Sequence, residues 1–148
     1  MIKKLFVLSL IVLVFCSSGC SLKVQRDVFY LPQDEVEQVI IQREYAEEDG
    51  VIYRQKTIDE TNDLESICEK IRKLPVRRAS SKEPHPIIEF PLIIIINGQK
   101  EHHLILTEEM AFYDQIAYEY TDNDTYERFL ELYADLNCLE EETEPDRF

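Results

Sequence analysis

Leu92-Ile93-Ile94-Ile95-Ile96, followed at once by Asn97-Gly98, is the stretch on which the fold turns. Consecutive side chains on a strand point to opposite faces, so an unbroken apolar run has no face to give to water and belongs in the middle of a sheet. Asn-Gly after such a run is the favoured pair for a two-residue type I′ turn. Phe90 to Leu106 therefore reads as a hairpin, and Ala111 to Tyr113 and Ile116 to Tyr120 continue it as a meander around Asp114-Gln115.

Upstream, Val36 to Tyr45 and Val51 to Ile58 are rich in β-branched and aromatic residues and flank Glu47-Glu48-Asp49-Gly50, so they read as a second hairpin with glycine where a positive φ is needed. Asn62 to Leu74 places Leu64, Ile67, Cys68, Ile71 and Leu74 at helical spacing; Asn62 and Glu65 spell a capping box and Pro75 ends the helix. Val76 to Pro86 is basic, polar and interrupted by proline, which predicts a loop. Asp124 to Leu139 repeats the helical pattern through Tyr126, Phe129, Leu130 and Tyr133, with Asp124 and Glu127 as a second capping box. The order hairpin, helix, four-strand meander, helix predicts an α+β domain over residues 36–139, an antiparallel sheet with both helices on one face. It resembles the order of TBP-like or cystatin-like folds. The acidic residues 140–148 are expected to fray as a tail.

The N-terminal stretch supplies an address. Lys3 and Lys4 precede an apolar core, Leu5 to Cys16, of 12 residues, shorter than the roughly 20 that a spanning helix needs. Ser17-Ser18-Gly19-Cys20 closes it with small residues and a thiol. Ser18, Gly19 and Cys20 resemble the lipobox of bacterial lipoproteins, although Ser17 stands where that family has Leu. The resemblance implies a signal peptide over residues 1–19 and a diacylglycerol-modified, acylated Cys20 that holds the chain on the membrane. Ordinary cleavage at the same bond is the other reading, since Ser17 and Gly19 also suit a soluble secreted protein. Residues 20–35 read as a tether, and the element order over Val36 to Leu139 also resembles that of small lipoproteins of unknown function from Gram-positive bacteria, a likeness of element order and lipobox that carries no active residues.

Charge excludes some partners. The 16 basic residues fall to 14 without Lys3 and Lys4, against 30 acidic ones, so the chain from Cys20 carries −16. Phosphates would be repelled, which argues against nucleic acid, and an anionic bilayer would not be held by charge. The basic residues that remain gather at Arg72, Lys73, Arg77, Arg78 and Lys82, a candidate contact for an anionic wall polymer, lipid or envelope protein. Cys68 and Cys138 belong to no Cys-x-x-Cys pair and are expected to be thiols, not a disulfide.

Motifs for chemistry are sparse. His102 and His103 are strand neighbours and point apart, so they cannot share a metal ion. Asp122-Asn123-Asp124 begins like a calcium loop, but Tyr126, Glu127 and Tyr133 stand where that pattern needs an oxygen ligand, glycine and glutamate. Gly-x-Ser-x-Gly, His-Glu-x-x-His and a glycine-rich phosphate loop are all missing. Ile116, Tyr118 and Tyr120 alternate on one strand face and are expected to form a core layer. The expectation is a non-catalytic, lipid-anchored envelope protein without cofactor that binds another envelope component. The alternatives are an acidic inhibitor or decoy of a secreted enzyme, whose association would be fast and salt-sensitive, and a small hydrolase.

Overall fold

The computed structural model describes residues 29, 31–48, 50–80 and 90–144. They form one α+β unit: β1 (Val36–Glu47), β2 (Gly50–Ile58), α1 (Thr61–Arg72), β3 (Val76–Arg78), β4 (Leu92–Gly98), β5 (His102–Leu106), β6 (Met110–Tyr113), β7 (Ile116–Tyr120), α2 (Thr125–Asp135) and β8 (Glu140–Thr143). The strands make a single eight-stranded sheet in the order β3-β7-β6-β5-β4-β1-β2-β8, antiparallel at every pairing.

The apolar run sits where its sequence demands. β4 lies between β1 and β5, and all five residues from Leu92 to Ile96 are buried. Leu92, Ile94 and Ile96 join Val39, Ile41, Leu104 and Leu106 in one core. Ile67, Cys68 and Ile71 of α1 and Phe129 and Tyr133 of α2 complete that core, so both helices lie on the same face. Ile93 and Ile95 alternate to the opposite face, pair with Gln42 and Ile40 of β1 and with Ile105 and His103 of β5, and are buried there. Tyr118 and Tyr120 pack on the helix-bearing face as expected, while Ile116 at the start of β7 is exposed.

The turns follow a different logic from the one the local sequence predicts. Asn97-Gly98 makes no two-residue hairpin: Ile96 pairs with His102, so the connection spans residues 97–101. Gly98 remains in the strand because it faces Val36 across β1, where a Cβ would land on the Glu35 carbonyl oxygen. The type I′ geometry appears instead at Asp114-Gln115, both at positive φ (46° and 69°), between the paired Tyr113 and Ile116. Gly50, at φ 145°, closes the β1–β2 hairpin opposite Glu47. A methyl group at Gly98 must push the chain at Glu35 and Val36 outward. Gly98→Ala is therefore expected to cost about 1–3 kcal/mol in a denaturant titration, the range for overpacking a fitted contact. A loss under ~0.5 kcal/mol would show that residues 35–36 yield freely.

Four expectations need correction. The tether set at residues 20–35 cannot run that far, because Phe29 and Leu31 are core residues, 1% and 3% exposed, and Gln33–Glu35 forms a 3-10 turn. The segment from Val76, expected as loop, begins with the three-residue strand β3, held by β7. The acidic stretch after Leu139 opens with β8, paired to β2 from Glu140 to Thr143, so it is a sheet edge before it is a tail. Neither capping box forms. α1 begins at Thr61 with Asn62 already inside it, and neither Glu60 nor Asp124 makes a side-chain cap bond. At α2 it is Asp122 that accepts hydrogen bonds from the Thr125 hydroxyl and from Arg128.

Candidate functional site

Cys20 and Lys82 lie outside the described residues. The other basic residues are placed by α1 and β3. Arg72 and Lys73 end the helix: the Arg72 guanidinium donates to the Cys68 carbonyl at 3.3 Å, and Lys73 pairs with Glu69 one turn back. Pro75 then turns the chain into β3, where alternation sends Arg77 and Arg78 to opposite faces. Arg77 is engaged by Glu119 across the ladder (2.8 Å), and Arg78 is exposed on the side of Tyr118. Of the expected basic residues, Lys73 is thus paired at the end of α1 and Arg77 on the β3–β7 ladder. Solvated pairs of this kind contribute little to stability.

A groove of about 610 Å³ runs between the helices. Two of its three lining cations are matched by a carboxylate, Lys73 by Glu69 and Arg128 by Asp122, and Lys70 is the third. Asp122 is held below the usual carboxylate range by the Thr125 hydroxyl first, then by Arg128. The residues that resemble the start of a calcium loop are thus tied to helix α2 by their own neighbours.

The sheet end that carries Gly98 is chemically richer. His102 and His103 turn to opposite faces, as strand alternation requires, and each meets its own carboxylate. His102 Nδ1 is 2.7 Å from Asp114, and His103 Nε2 is 2.8 Å from Glu101. Asp114 also accepts from the His103 backbone N–H at 3.0 Å, so one side chain in the β6–β7 turn fixes β5 and orients His102. The His102 ring stacks on Tyr113 (centroids 5.5 Å apart), which stacks in turn on Phe29 (4.4 Å). Beside this stack, under the chain from Leu31 to Val36, lies a recess of about 440 Å³.

Comparison with protein-family models, with curated proteins and with solved structures finds no match.

The two histidines are visible in the sequence, and Glu101 stands two residues before His103, but Asp114 lies 12 residues from His102 and only the β5–β6 pairing brings it there. Tyr113 reads there only as a core aromatic. No signal in the sequence marks a tyrosine whose hydroxyl has no partner among the described residues.

Cys68 and Cys138 are unbridged, the first buried and the second half-buried. Burial pushes both thiols above their ordinary value, with Asp63 adding to the effect at Cys138. Such thiols are poor nucleophiles. Alkylation of the non-reduced protein after denaturation is expected to add a group at Cys68 and another at Cys138, read by peptide mass; an unmodified pair would mean a disulfide. In the native state Cys138 is expected to react first.

Proposed function

We propose that this chain is an extracytoplasmic lipoprotein, held on the membrane through acylated Cys20, that binds or positions another envelope component without catalysing a reaction. The observation that carries the reading is the short apolar run closed by Ser18-Gly19-Cys20. The fold supports it in one respect. Phe29 is already in the core, so only residues 21–28 separate the lipid-bearing cysteine from the domain, and even fully extended they reach no more than about 30 Å. A domain tied this closely works beside the membrane surface. Among the described residues no helix is long and apolar enough to cross a membrane, which leaves the acyl chains as the anchor in this reading.

The alternative of an acidic decoy draws support from β8, where Glu141 and Glu142 are exposed on an outer strand. The same charges also discourage another chain from adding to that edge. A hydrolase draws less. Glu69, Asp122 and Glu140 are held low by hydrogen-bonding neighbours, the reverse of what a general acid needs.

Cys20→Ala is expected to abolish incorporation of labelled fatty acid and to release the chain from the membrane fraction. Labelling that survives the substitution sinks the proposal. Release without any labelling of the unsubstituted chain would point to ordinary secretion.

A further inference from the structure

The sheet face turned away from both helices is better protected than the described elements account for. Gln42, Ile93, Ile105, Phe112 and Ala117 form one row across it, each paired to the next. Gln42, Ile93 and Phe112 are 4%, 5% and 6% exposed, and Ile95 in the neighbouring row is 4% exposed. None of these four belongs to the core that Phe29, Leu31 and both helices complete on the other face. An antiparallel sheet with one solvated face alternates apolar and polar residues, whereas β4 is apolar on both. Burial this deep needs neighbours packed above the side chains as well as beside them.

The connectivity of the sheet selects the part of the chain that supplies them. β2, β3 and β4 run in the same direction, as the alternating antiparallel pairings require. The chain passes from β2 through α1 to β3 at the far edge, then returns past β7, β6 and β5 to β4. Crossovers between parallel strands of one sheet are right-handed in almost every case. Two crossovers that travel in opposite lateral directions share that hand only if they pass over opposite faces. α1 occupies the core face, so the return from β3 to β4 belongs on the other. The β7–α2–β8 crossover obeys the same rule: its strand direction and its lateral direction are both reversed relative to β2–α1–β3, which keeps α2 on the core face.

Path and length agree with this. β3 runs out beside the buried row, where the Ala79 N–H donates to the Ala117 carbonyl at 3.0 Å. β4 begins at Leu92, level with Arg78 through Leu106, Ala111 and Tyr118. Four strand spacings separate the two, about 19 Å. The ten steps from Ser80 to Phe90 reach about 33–36 Å when extended, enough to traverse the face and come down to the foot of β4. Coiled as a helix they would span only about 15 Å, and Pro84 and Pro86 oppose that conformation. At the end of the stretch Phe90 takes φ 48° and its carbonyl accepts from the Tyr126 hydroxyl at 2.7 Å, a sharp and pinned entry into β4. Ile87 and Ile88 give the stretch two large apolar residues for an apolar row. A route around the foot of the sheet would leave Ile93 and Phe112 open to water.

We propose that residues 81–89 cross the face turned away from the helices as a right-handed β3–β4 connection, with Ile87 and Ile88 packed on the row from Gln42 to Ala117. A partner then meets the domain at the helices or at the β3 and β8 edges, and not on the sheet. The crossover belongs to the folded domain and does not depend on whether Cys20 is acylated.

The test uses the full chain in a polyoxyethylene detergent, with isoleucine methyl groups and phenylalanine rings labelled for magnetic resonance. Ile87→Val and Ile88→Val assign the two signals. Cross-relaxation is expected between Ile87 or Ile88 and Phe112, Ile93 or Ile105, and samples mixing labelled with unlabelled chains should show none of it between molecules. Contacts of Ile87 and Ile88 with Ile67 or Phe129 of the helices overturn the proposal, as does the lack of any contact with the row. Contacts that arise only between molecules overturn it too, and make a second copy of the chain the cover. Ile87→Ser combined with Ile88→Ser should raise the broadening of Ile93 by a soluble paramagnetic probe several-fold, with Ile94 on the core face unchanged. Equal broadening of Ile93 with and without the two substitutions counts against the crossover. Should the double variant unfold, the contacts in the unsubstituted chain decide alone.

Discussion

Phe29→Ala is expected to lower folding stability by about 3–5 kcal/mol, the range for removing a fully buried phenylalanine ring, although the residue lies seven positions before the first strand. The reason is where the ring sits. It is 1% exposed, stacked on Tyr113 at 4.4 Å and edge-on to Tyr118 at 5.1 Å, so its removal opens a cavity between two aromatic residues that cannot both close on it. Aromatic pairing adds about 0.5–1.5 kcal/mol to simple burial. A drop in melting temperature of more than about 10 °C should result, with new protease cleavage before Val36. A variant within ~1 kcal/mol of the unsubstituted chain would show that the N-terminal segment is an appendage. Under the proposed anchoring the consequence is one of reach: with Phe29 released and Leu31 still in the core, the link from Cys20 to the domain lengthens by two residues, up to about 7 Å.

That phenylalanine also marks where sequence reading gives out. The elements it recovered are those with a period or a run: the apolar β4, the β1–β2 hairpin, and the two helices whose buried residues recur every three or four positions. Phe29 and Leu31 belong to the short run Val28-Phe29-Tyr30-Leu31 between Asp27 and Pro32, and four residues are too few to carry a periodic signal. β8 is harder still, because Glu140-Glu141-Glu142-Thr143 has little intrinsic preference for a strand. Tertiary contacts decide it: Glu140 accepts from the Tyr133 hydroxyl at 2.7 Å and from Tyr45 at 3.4 Å, and Arg54 approaches it from β2 at 3.5 Å. Those contacts hold the Glu140 carboxyl low, the Tyr133 hydroxyl first. Asn97-Gly98 shows the opposite failure. The local signal was strong, but Gly98 was needed beside Glu35, and the tight turn went to Asp114-Gln115 instead. The histidine end is half legible, since alternation separates His102 from His103, while Asp114 comes from the β6–β7 turn and Tyr113 from β6.

Lys56→Met is the second large expectation, a loss of about 3–4 kcal/mol from a substitution that keeps the aliphatic stem and removes only the ammonium. Lys56 is 8% exposed and faces the core between Arg54 and Ile58, where a strand would ordinarily place an apolar residue. Its place is explained by α2. That helix has no basic residue in its last turn, and its C-cap Leu136 is extended, so its terminal carbonyls need donors from elsewhere. Lys56 supplies them from the sheet, donating to the Tyr133 and Leu136 carbonyls at 2.8 Å each and lying 3.5 Å from that of Ala134. The ammonium also meets the negative end of the helix dipole and lies 5.0 Å from the centre of the Tyr133 ring. Each good charge-assisted bond contributes about 1.5–3 kcal/mol, and part of that is offset because the ammonium must leave water. Methionine leaves the carbonyls buried and unpaired. The end of α2 should loosen first, and with it β8, whose Glu140 lies opposite Lys56. Hydrogen exchange at Leu136 and along β8 should therefore accelerate more than exchange at β4. If Lys56→Met unfolds at the same denaturant concentration as the unsubstituted chain, the carbonyls of the last turn have found water, and the lysine is not what joins helix to sheet.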